Sequence, residues 1–174
     1  MLKNLNLYYN NIGDTGAIAI AEALRGNGVL TNLDLRGNGI GPGGANAIGK
    51  ALAVNGVLTN LNLFDNSIGD EGAAALASAL RVNGVLTSLD VGLNDLTEEA
   101  ALGIVRVERQ RNKLTSLGLG RCGIGPTGAA EIAEYVSDSG VLKSIDLSYN
   151  NLGDEGRKAI HDAVSGREGF ELEM

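Results

Sequence analysis

Chemistry-bearing residue types are scarce in this chain: no tryptophan, one cysteine, one histidine, two prolines and six aromatics among 174 residues. A single cysteine, Cys122, rules out an internal disulfide and suits a reducing compartment. One cysteine and one histidine cannot build a zinc site. Any nucleophile–base pair would have to use His161, so no catalytic residue, metal or cofactor is expected. Long apolar runs are missing as well. None approaches the ~18 residues of a membrane span, and the alternation from Met1 to Leu7 is not the continuous core of a secretion signal. Basic runs are equally absent, with a net charge of −7 and a pI near 4.7. No nucleic-acid or membrane footprint follows, and an acidic surface favours basic partners. These absences predict a soluble, cytoplasmic (intracellular) protein with no small-molecule substrate.

Glycine is abundant, with 26 copies, and most of it is explained by a period. The stretch Leu30-Thr-Asn-Leu33-Asp-Leu35-Arg-Gly-Asn38-Gly-Ile40-Gly41 recurs at starts 2, 30, 58, 86, 114 and 142, each 28 residues after the last. Glycine falls at position 12 (Gly13, Gly41, Gly69), position 15 (Gly16, Gly44, Gly72) and position 27 (Gly28, Gly56, Gly84). A fixed period of this size means stacked supersecondary units, not one globular core. In each unit positions 4 and 6 alternate apolar with polar neighbours, the period of a half-buried strand. An asparagine at position 9 is suited to bonding backbone left unpaired where the strand ends. Acid or proline at position 13 (Asp14, Pro42, Asp70, Glu98, Pro126, Asp154) suits a helix start. Small and apolar residues then recur at 3–4 spacing, as in Ala45, Ile48 and Leu52. Asn-Gly pairs such as Asn27-Gly28 are expected to end the helices with glycine left-handed.

The units read Leu-x-x-Leu/Ile-x-Leu-x-x-Asn/Cys-x-Ile/Leu, with Val91 for the third leucine in one and Cys122 at position 9 in another. This pattern resembles the leucine-rich repeat family, and the 28-residue length its ribonuclease-inhibitor-like class. The resemblance implies an α/β solenoid over residues 1–174, a horseshoe arc with a parallel sheet inside and helices outside. In that family position 9 stacks as a ladder, which makes Cys122 structural.

Three places depart from the pattern. Repeat 4 lacks its corner glycines, has Glu108 where others have leucine, and carries Arg106, Arg109, Arg111 and Lys113. Those charges read as a solvated face, or as a second contact surface. Residues 170–174 place Leu172 and Met174 one residue early, which predicts a short capping strand with Glu171 and Glu173 outward. Met1 directly precedes the first repeat, leaving its layer uncovered.

The columns that the fold requires are uniform, whereas positions 7 and 8 are not. They run Tyr8-Tyr9, Arg36-Gly37, Phe64-Asp65, Gly92-Leu93, Gly120-Arg121 and Ser148-Tyr149. Four of the six aromatics therefore fall on one strip with Arg36, Asp65, Leu93 and Arg121, the ingredients of an interface centre. Neighbouring-strand packing alone would also place them together. The reading is a non-enzymatic protein–protein interaction module that binds a partner on its concave face. The resemblance also admits a GTPase activator of the Ran GTPase-activating type, with an arginine at one rim. A fragment or engineered array without activity of its own is the third alternative.

Overall fold

A computed structural model describes residues 1–174. Strands and helices alternate: β1 (Asn4–Asn6), α1 (Gly13–Gly26), β2 (Asn32–Asp34), α2 (Pro42–Leu52), β3 (Asn60–Asn62), α3 (Gly69–Leu80) and β4 (Ser88–Asp90). Then follow α4 (Glu98–Arg111), β5 (Ser116–Gly118), α5 (Pro126–Asp138), β6 (Ser144–Asp146), α6 (Gly153–Val164) and β7 (Glu171–Glu173). The seven strands form one parallel sheet in chain order. Leu5, Leu33, Leu61, Leu89 and Leu117 pair in exact register, and Ile145 continues the row. Helices are wider than strand spacings, so stacking curves the array with the sheet inside. The final pairing is Ile145 with Leu172, a step of 27 residues, so the shortened last register expected from the sequence is present.

One continuous core runs from Ala17 to Ile160 between sheet and helices. It is closed by small residues. A side chain on Gly72 would meet the Ala45 Cβ at 2.8 Å, and one on Gly156 the Ala129 Cβ at 2.6 Å, so only glycine lets these helices approach so closely. Burial falls off at the first repeat. Leu33 and Leu35 are buried, whereas Leu5 and Leu7 are half-buried and Leu2 is 62% exposed.

The position 9 ladder is continuous. The Asn38 amide donates to the carbonyls of Leu7, Leu35 and Arg36, and its oxygen accepts from the backbone N–H of Asn10 and Ile12. Cys122 holds the same place, its thiol 3.6 Å from the Gly120 carbonyl. Burial, with Asp90 and Asp146 nearby, pushes that thiol up to about 12, which leaves it inert.

Two sequence readings need correction, and another gains a second role. Gly28, Gly56 and Gly84 are not left-handed. Their asparagine neighbours shape the return instead: Asn55 Oδ1 accepts from Val57 and Leu58, while its amide donates to the Leu24 and Asn27 carbonyls of the preceding repeat. Asn83 does the same one repeat on, which makes a second amide ladder. The position 13 acids lie in the first turn of their own helices, as the sequence predicts, and in addition cap the helix of the following repeat. Asp14 accepts from Gly41 and Gly44 at the start of α2, and Glu98 from Gly125 and Gly128 at the start of α5. Asp70 accepts from both the N–H and the hydroxyl of Thr97, the N-cap of α4. Where proline precedes instead, the next corner turns on a left-handed glycine, Gly69 after Pro42 and Gly153 after Pro126.

The second correction concerns Arg111 of repeat 4, since Arg106, Arg109 and Lys113 do lie on the solvated face. Arg106 bonds Glu99 and Glu131, and Arg109 bonds Glu134 and Asp138 of α5. Arg111 does not face solvent. It pairs with the fully buried Glu108 at 2.5 Å and donates to the Asn83 and Leu86 carbonyls. Glu108 accepts from the Lys113 and Leu114 N–H groups, so together the pair takes over the return asparagine's bonds. His161, the lone histidine, is exposed on α6.

Candidate functional site

In every repeat but the fifth, the strand ends in a turn set by its own side chain at position 5. Asn6, Asp34, Asn62, Asp90 and Asp146 each accept the N–H of the residue two places on. These acids therefore shape the turn as well as setting charge. Position 8 then turns left-handed while its N–H makes one more ladder bond, as Tyr9 does to Arg36 and Leu93 to Gly120. All six position 8 residues have φ between 52° and 63°: Tyr9, Gly37, Asp65, Leu93, Arg121 and Tyr149. Left-handed backbone costs a non-glycine residue roughly 1–2 kcal/mol. Glycine occupies only one of these six places in a chain that has 26.

The strip carries two clusters and a bridge between them. At the first end Tyr8 and Tyr9 meet edge-on, with ring centres 4.6 Å apart. The Arg36 guanidinium lies 4.8 Å over Tyr8 and grips Asp34 with two nitrogens. Burial pushes the Asp34 carboxyl upward, but the hydrogen bonds and charge of Arg36 outweigh it and hold it below the usual range. Tyr9 crosses over Gly37 and donates its hydroxyl to Asp65 at 2.7 Å, which raises the phenol's pKa. At the other end Arg121 stacks 4.6 Å over Tyr149.

Between them Phe64 lies against Gly92, whose missing side chain makes room for it. Phe64 and Leu93 are half-buried, whereas Tyr8, Tyr9 and Tyr149 are 50%, 63% and 78% exposed. The expected residues are thus neighbours along one rim, with Arg36 and Arg121 in separate clusters. From the sequence, Asp34, Asp90 and Asp146 read only as a column of single acids that sets surface charge. Their two-residue spacing before position 7 was the available signal.

No group of three His, Cys, Asp or Glu side chains is placed to hold a metal ion, and no helix is long and apolar enough to cross a membrane. No curated protein matches the chain. Among solved structures it is similar to the C-terminal domain of tropomodulin from Caenorhabditis elegans, with a TM-score of 0.75 at 15% identity over 86% of this chain and 91% of that one. It is also similar to actin-binding site 2 of leiomodin-1, with a TM-score of 0.58 at 22% identity over 94% of this chain and 79% of that one. A family model described as "Leucine Rich repeat" matches residues 1–21, 26–49, 54–77, 82–105, 111–133 and 141–160. Six matches in step with six strand–helix units show that the chain belongs to the leucine-rich repeat family.

Proposed function

We propose that this protein is a binding module that engages a protein partner along the position 7–8 rim and the adjoining concave face of its sheet. The left-handed column is the observation that carries this reading. Five of its six places hold Tyr, Asp, Leu, Arg or Tyr, each at a conformational cost that glycine would remove. Three of those five are large side chains open to solvent, where they return little folding energy. Exposed Tyr and Arg with stacked or bonded geometry match the composition of interface centres.

A GTPase-activating arginine has less support. Arg36 is tied to Asp34 and Tyr8, and Arg121 stacks on Tyr149, so each already has a partner within the chain. The leiomodin neighbour carries an actin-binding site, which makes actin the first partner to try.

The test is cosedimentation with filamentous actin, followed by affinity capture from lysate if actin fails. Wild type is compared with Phe64→Ala, Tyr149→Ala and a convex control, Lys50→Ala. Each rim change should alter stability by under ~1 kcal/mol. It should weaken binding by about 2 kcal/mol, roughly thirtyfold. Leu61→Ala at a buried strand position should cost ~2–5 kcal/mol of stability. If Phe64→Ala unfolds the protein as Leu61→Ala does, the strip is core. Rim variants that fold and bind as wild type does would refute the rim as the binding surface.

A further inference from the structure

Position 5 carries Asn or Asp in every repeat but the fifth, where it is Gly118. The missing side chain leaves a depression of about 290 Å³ in the concave face, floored by β5 and walled by β4, β6 and β7. The Asp90 carboxylate leans over it, and any side chain on Gly118 would collide with that group. Asp146, Glu171 and Glu173 complete the lining, so the cleft holds four carboxylates and no cation.

These charges are not matched within the protein. Asp90 accepts only the Gly92 N–H and Asp146 only the Ser148 N–H, leaving one oxygen of each without a protein partner. The rim arginines are engaged elsewhere, Arg36 on Asp34 and Arg121 over Tyr149. No three of these carboxylates are placed to hold a metal ion together. Hydroxyls and an amide (Ser88, Ser116, Ser144, Asn62) floor the rest of the cleft, offering bonds to an extended polar chain.

Resting on the proposed concave-face function, we infer that the partner presents a basic segment, one of whose arginine or lysine side chains enters between Asp90 and Asp146 above Gly118. A cation there meets two half-used carboxylates that no group of the protein satisfies, in a setting of reduced dielectric where charge pairing is strong. Burial pushes the Asp90 carboxyl upward; the Gly92 N–H and the more distant Arg36 charge offset this only in part, while the Asp146 and Asp34 charges add to it. An acidic segment would be repelled from the same place.

The probe is an eight-residue peptide of alternating arginine and serine, titrated into isotopically labelled full-length protein by NMR. Its glutamate–serine counterpart serves as control. The arginine peptide should shift amides in 88–92, 116–120 and 144–148, and bind more weakly as salt rises. The acidic peptide should do neither. The double change Asp90→Asn with Asp146→Asn keeps the turn acceptors and should lose at least tenfold in affinity. Ser116→Arg, which fills the cleft with a cation, should do the same by another route.

Equal binding by wild type and both variants, shifts confined to the helical side, or no binding at all would overturn the inference. The rim variants separate the two claims. If Tyr149→Ala loses a natural partner while Asp90→Asn with Asp146→Asn retains it, the concave-face reading stands and the basic-segment inference falls.

Discussion

Asp90 and Asp34 occupy the same turn position and are pushed in opposite directions, which gives each a distinct signature against pH. Burial raises the Asp90 carboxyl above its usual 3.8, and the Gly92 N–H only partly offsets this. The folded chain therefore binds the Asp90 proton more tightly than the unfolded chain does. Ionised Asp90 costs stability at neutral pH, and that cost is relieved as pH falls through its raised value toward 3.8. Asp90→Asn should accordingly be more stable than wild type at pH 7, with the advantage shrinking toward pH 4. Urea melts at several pH values check this, and a variant less stable than wild type at pH 7 would contradict it. Asp34 runs the other way: its stabilisation is present above 3.8 and is lost as pH falls through its lowered value. The rim itself was legible in the sequence because positions 7 and 8 vary where the other columns do not. Its left-handed backbone was not, because five of six places lack the glycine that announces such a turn.

At the scale of the element, α4 shows how a repeat can change its chemistry and keep its shape. Repeats 1 to 3 close with leucine and asparagine, Leu24 with Asn27, Leu52 with Asn55 and Leu80 with Asn83. Repeat 4 puts Glu108 and Arg111 at those two places, and the pair makes equivalent backbone bonds while buried. Removing one partner strands a buried charge, so Glu108→Ala should cost about 3–5 kcal/mol. Replacing both, as Glu108→Leu with Arg111→Asn, recreates the closure of repeats 1 to 3 and should recover most of that loss. Denaturant unfolding of the single and double variants measures the coupling, and a double variant no better than the single would show that the closures are not interchangeable. None of this could be read from periodicity, which marked Arg111 as surface charge because its partner three residues earlier looked like a misplaced acid. The helices, strands and ladder were readable because they repeat six times; the pair occurs once.

For the molecule as a whole, stability passes from each repeat to its neighbours. Leu5 and Leu7 are half-buried where their counterparts are buried. Amides of residues 2–29 should therefore exchange with solvent before those of repeats 2 and 3. Hydrogen exchange followed by mass spectrometry resolves this, and equal protection would count against nearest-neighbour fraying. The helix caps that cross from one repeat to the next carry a different consequence, one for how such a gene can be cut and rejoined. Asp14, Asp70 and Glu98 each end in a corner built to receive an acid, while Pro42 and Pro126 each lead to a left-handed glycine. The repeats are thus words with a syntax, since what may follow depends on whether the last one ended in acid or proline. Excising repeat 4 brings Asp70 to the corner of Gly125, an allowed succession. Excising repeat 2 brings Asp14 to the corner of Gly69, which has been shaped for proline, and leaves the carboxylate without its amides. Of two deletions equal in length, the first should still fold and the second should be markedly less stable.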